Sequence, residues 1–142
     1  MKYSTIAAFL ILASGCASTE SCPCAAPGSG VVVTPVLRTD RNMLGQPLAM
    51  PSGDIEVVVS RCEIPPGARL PVHKHLYQRY AYVLSGRLRV AGDQLVPRDY
   101  ATGSFLADPV DAWHYAENTG TEPAVLLLID HVPKGQANMV KK

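Results

Sequence analysis

Beyond residue 30 the chain alternates apolar and polar positions in short runs, cut at close intervals by Gly, Pro, Asn and Asp. No stretch sustains helical periodicity for long, whereas several keep period two, so the pattern predicts strands. Residues 31–39 and 55–63 form the first two such runs, separated by a loop holding Gly45, Pro47, Pro51 and Gly53. Ile64-Pro65-Pro66-Gly67 then breaks the chain sharply. Runs at 80–84, 87–91, 94–96, 104–107, 112–117 and 124–131 follow, with tight turns expected at Ser85-Gly86 and Gly92-Asp93. About ten short strands in roughly 110 residues suit an all-β jelly-roll barrel.

The first thirty residues break this pattern. Lys2 is followed by an apolar run from Ile6 to Ala13 and then Ser14-Gly15-Cys16. That run is far below the roughly 20 residues that span a bilayer, so it reads as a signal peptide, residues 1–15, and not as a permanent membrane helix. The small residues before Cys16 resemble a bacterial lipoprotein cleavage site, with Ala13 where such sites usually carry leucine. The resemblance implies lipidation of Cys16 and a membrane anchor. An ordinary secretory signal cut after Ala17 is the alternative, and either reading exports the protein to the periplasm or cell envelope. Residues 16–30, rich in Ser, Ala, Pro and Gly, are expected to be a flexible tether, leaving 31–142 as the folded domain. Cys22-Pro23-Cys24 in the tether is either a metal or redox pair or simply a pair of oxidisable thiols, and Cys62 reads as a small buried hydrophobe.

With 142 residues, 47% of them hydrophobic and 18% charged, the chain has room for one globular domain. A formal net charge of +1, with no block of like charges, argues against nucleic acid and for a small molecule as partner. The two C-terminal lysines read as a solvated tail.

His73 and His75 carry the chemistry. Side chains two apart on a strand share a face, so both imidazoles can close on one ion, and His114 supplies a third. Gly67, five residues, His73-Lys74-His75 and later Gly86 reproduce most of the pattern G-x5-H-x-H-x3-4-E-x6-G. Gly103, Pro109, His114 and Asn118 follow G-x5-P-x-G-x2-H-x3-N, with Asp111 replacing the second glycine. These are the two motifs of the cupin superfamily, which the chain resembles from about Gly53 to Asp130. The resemblance implies a double-stranded β-helix, His73, His75 and His114 as metal ligands, a divalent iron, manganese, nickel or zinc ion, and a homodimer.

One position departs with consequences. Where the first motif places a glutamate ligand, the chain has Arg79, a permanent cation that cannot coordinate. A unit charge and a divalent ion about 5 Å apart interact by roughly 6 to 7 kcal/mol at an effective dielectric near 20, so the exchange reverses the sign of a large term. Three outcomes satisfy this: Arg79 swings away to pair with a carboxylate, an anion sits between metal and guanidinium, or no metal binds. Counting by twos from His73 places 75, 77, 79, 81 and 83 on the inner face, which turns Arg79 inward and Gln78, the other substitute for the glutamate, outward unless a bulge intervenes. Lys74 faces away and is expected to be solvated. If metal and Arg79 act together, the substrate is a small anion, the metal a Lewis acid or oxygen-binding centre, and Tyr77 or Tyr115 a proton donor. A non-catalytic ligand-binding cupin and a structural envelope protein are the competing readings.

Overall fold

The computed structural model describes residues 30–142. Signal peptide, Cys16, Cys22 and Cys24 lie outside the described residues. By its contacts the chain divides into Met1–Thr34 and Pro35–Lys142, and the fold described below is that of the second unit.

Nine strands occur among the described residues, and no helix: β1 Ile55–Ile64, β2 His73–His75, β3 Arg79–Ser85, β4 Arg87–Gly92, β5 Leu95–Ala101, β6 Phe105–Ala107, β7 His114–Asn118, β8 Ala124–Pro133 and β9 Met139–Lys141. They form a four-stranded sheet in the order β1-β8-β3-β6 and a five-stranded sheet in the order β5-β4-β7-β2-β9. Every strand pairing is antiparallel. This is the all-β double-stranded β-helix that the motifs implied.

Alternation sets the core. In β3 Ala81 and Val83 turn inward, in β4 Leu88 and Val90, and in β7 Ala116, all buried together with Ile64, Leu106 and Leu126. The opposite face of β3 sends Tyr80 and Tyr82 to pack on Phe105. The turn after β3 needs Gly86: its φ is 85°, and a Cβ there would lie 2.7 Å from the Ala124 backbone. Asn118 of the second motif is structural. Its side-chain amide donates to the carbonyls of Ile64 and Glu122 and its oxygen accepts from Gly120 N, tying the end of β1 to the β7–β8 turn.

Two expectations require correction. Residues 31–39 form no strand, although Val31, Val32, Val33, Val36 and Leu37 gave the run its apolar look; all five are exposed, and Pro35 removes a ladder donor from its centre. The C-terminal lysines are not a free tail. Lys141 pairs with His73 in the β2–β9 ladder, Lys142 N donates to Val72 O at 2.9 Å, and β9 forms the outer edge of the five-stranded sheet.

Candidate metal centre

β2 is only three residues long, and its pleat buries His73 and His75 at 4% and 0% exposure while Lys74 emerges on the other face. That lysine is not simply solvated. It pairs with Asp111 at 2.5 Å and lies 5.2 Å from the centre of the Trp113 ring. Asp111, where the motif has glycine, keeps the conformation a glycine would supply, with φ of 55°. Aspartate tolerates that region better than most residues, so the loop keeps its path.

His114 lies directly across from His73 in the β2–β7 pairing, and Gly92 of β4 lies across from His114 on its other side. A Cβ at Gly92 would sit 2.3 Å from the Trp113 carbonyl oxygen, so β4 can approach His114 this closely only through glycine. The three imidazoles converge, with ring centroids 4.5 to 5.0 Å apart and their candidate ligand atoms all within 4.8 Å of one another.

Two of the rings are oriented by the backbone. His73 Nδ1 lies 2.7 Å from Pro71 O and His114 Nδ1 lies 2.9 Å from Ala112 O. A carbonyl only accepts, so each Nδ1 carries the proton and each Nε2 presents a lone pair. Neither ring nitrogen of fully buried His75 has a hydrogen-bond partner. Burial holds His73 and His114 below the ordinary histidine range. Burial, helped by the charge of Arg79, drives His75 down to about 2. The triad is therefore neutral at physiological pH, the state in which imidazole binds metal. A buried polar atom without a partner costs about 1–3 kcal/mol, and a divalent ion would satisfy the His75 lone pair, so the donor set fits the implied metal.

Arg79 points inward, as its parity predicted, but its charge is matched. Its Nε and Nη2 donate to the two oxygens of Asp130 at 2.7 and 2.6 Å, and Asp130 faces it in the β3–β8 register. Asn138 also donates to Asp130, while its own side-chain oxygen accepts from Tyr77 N. Of the three outcomes open to the arginine, the carboxylate partner is found but the swing away is not: Arg79 pairs with Asp130 while still lining the cavity beside His73 and His114.

The other candidates separate. Chain bends at residues 76 and 77 interrupt the period-two count, and Tyr77 leaves the inner face. Gln78 is buried, its amide donating to the carbonyls of Arg79 and Asp108, and it lines an outer pocket beside Gln46 and Tyr77. It does not line the cavity that His73 and His114 face. Tyr115 stands on the outer face of β7, with the Arg69 guanidinium 4.0 Å above its ring. Neither tyrosine lines the inner cavity; Tyr77 lines the pocket beside Gln78, and Tyr115 lines a surface pocket that His114 also borders.

Sequence reasoning missed Asp108. It follows β6, its N–H donates to Arg79 O at 2.9 Å, and its Oδ2 lies 3.5 Å from His75 Nε2. Burial raises its carboxyl to about 6, with Arg79 pulling the other way. Asp108, Arg79, His73 and His114 form the polar end of a cavity of about 30 Å³ whose remaining walls are apolar, Leu88, Val90 and Leu126 among them. That space holds a water or two.

Similarity to known proteins accords with this geometry. A family model described as a cupin domain matches residues 60–130. No curated protein sequence matches. Among solved structures, the oxalate decarboxylase of Lactobacillus farciminis in complex with formate aligns with a TM-score of 0.52 at 23% identity, over 60% of this chain and 26% of that one. An uncharacterized conserved protein with a double-stranded beta-helix domain from Klebsiella pneumoniae aligns at 0.51 and 20% identity, over 66% and 89%. A cupin-like protein from Thermotoga maritima aligns at 0.54 and 19%, over 61% and 64%. At these identities the likeness concerns the fold, and the chain spans only about a quarter of the decarboxylase. The domain match covers half of the chain and includes the strands that bear all three histidines, and on that footing the chain belongs to the cupin family.

Proposed function

We propose that the domain is a metal-dependent cupin that binds a divalent transition metal through His73, His75 and His114 and presents it to a small molecule. The observation that carries this reading is His75, an imidazole with 0% exposure and no hydrogen-bond partner on either nitrogen, facing two rings whose free nitrogens also point inward. Three histidines leave coordination positions open, and a bound ion there supplies Lewis-acid or oxygen-binding chemistry. The protein's own contribution is orientation and exclusion. Pro71 O and Ala112 O fix the tautomers, the apolar walls exclude bulk water, and the narrow cavity admits a ligand of only a few heavy atoms. The case for an anionic ligand is weaker than the sequence suggested, because Asp130 already matches the guanidinium of Arg79.

Metal analysis of protein purified without a metal-binding tag tests the reading. About one equivalent of a transition metal is expected, as isolated or after reconstitution, and His114→Ala is expected to remove it. Less than about a tenth of an equivalent in the reconstituted wild type would sink the proposal.

A ligand-binding role without turnover is the second reading, favoured by the cavity's lack of tyrosine and by the engagement of Arg79 with Asp130. For location, the signal-like residues 1–15 and Cys16 support an exported, lipid-anchored domain. Metabolic labelling with a radioactive fatty acid should mark the wild type and not Cys16→Ser; equal labelling would refute the anchor.

A further inference from the structure

The chain replaced the motif's carboxylate ligand with Arg79, yet a carboxylate still stands at the histidines. Asp108 is 7% exposed, lines the same cavity as His73 and His114, and brings Oδ2 to 3.5 Å from His75 Nε2. That separation is too long for a good hydrogen bond. It does suit two atoms closing on one ion: metal bonds of about 2.1 Å put neighbouring ligand atoms about 3.0 to 3.4 Å apart, and a six-coordinate ion held by four protein ligands keeps two positions open for a small molecule. The backbone places Asp108 there for a reason visible in the sheet. β6 pairs with β3, and the ladder ends where Asp108 N donates to the carbonyl of Arg79 itself, so the new carboxylate enters next to the position that lost the old one.

Charge leads to the same residue. Arg79 and Asp130 cancel as a doubly bonded pair, so Asp108 is the carboxylate left facing the three imidazoles. A set of three histidines and a glutamate has the same donor types.

We propose that Asp108 is the fourth protein ligand of the metal, a carboxylate moved from strand β3 to the end of β6, and that the Arg79 and Asp130 pair is the wall that makes room for it. The inference rests on the metal reading above. Cobalt(II) is the probe, because its visible absorption bands report the ligand set while titration reports affinity. Asp108→Asn is expected to weaken cobalt binding by more than the roughly 10- to 100-fold that an outer-shell partner is worth, and to shift the bands. Asp130→Asn removes the same charge from the neighbouring wall, and it is expected to weaken binding while leaving the band positions in place. Wild-type protein that takes up no cobalt would end the metal reading itself. Cobalt-loaded wild type alongside an Asp108→Asn variant with the same bands and affinity would overturn the Asp108 assignment alone. Should Asp108→Asn fail to fold, a crystal structure of the zinc-loaded wild type decides: an Asp108 oxygen within about 2.2 Å of the ion is expected, and one beyond about 3 Å overturns the proposal.

Discussion

Two polar walls of one cavity are buried to a similar degree and behave in opposite ways. On the four-stranded sheet Arg79 and Asp130 meet through two short hydrogen bonds, and Asn138 takes up one of the same carboxylate oxygens. On the five-stranded sheet the histidines have their outer nitrogens fixed by carbonyls or left without partners, and their remaining lone pairs converge. Depth of burial does not separate a structural polar group from a ligand-binding one. What separates them is whether the protein itself completes the hydrogen bonding.

The contrast predicts that removing polarity destabilises one wall and stabilises the other. Arg79→Met strands the Asp130 carboxylate, which is 4% exposed, and should cost about 3–5 kcal/mol in urea unfolding. Arg79→Met combined with Asp130→Leu should recover most of that loss, because no lone charge is left behind. A single variant within about 1 kcal/mol of the wild type would break the comparison.

On the opposite wall, His75→Leu should stabilise the metal-free protein by about 1–3 kcal/mol at neutral pH, since it deletes a buried imidazole without partners. The gain should widen in acid. His75 is held down to about 2 when folded and titrates near 6.5 when unfolded, so between those values the unfolded chain binds a proton that the folded chain does not. Stability therefore falls as pH drops through that window, by about 1.4 kcal/mol per pH unit for this group, and His75→Leu is free of its share. At pH 5 the gap should be roughly 2 kcal/mol larger than at neutral pH, read from urea midpoints of both metal-free proteins. A constant gap would mean that His75 has a partner in solution.

Local rules made much of this legible. Period-two alternation found most of the strands, and the same count turned His73, His75 and Arg79 to one interior, because the bends at 76 and 77 fall between two in-phase segments. The second motif located His114 across a strand pairing that spacing alone could not show. Long-range placement escaped. Asp108 has no periodic signature, and its role follows from the β3–β6 ladder delivering it beside Arg79. Asn138 and β9 were invisible for the same reason: a three-residue strand is defined by the edge it joins. Residues 31–39 failed in the other direction: an apolar run with Pro35 at its centre makes no strand.

That last short strand has a consequence in time. β2, which holds His73 and His75, is flanked on one side by a single residue pair to β7 and on the other by the three pairs to β9. During synthesis the histidines emerge well before residues 139–141, so β2 waits without its outer neighbour while the rest of the barrel is being made. The edge that holds His73 and His75 is thus completed only once β9, the last strand in chain order, has been made.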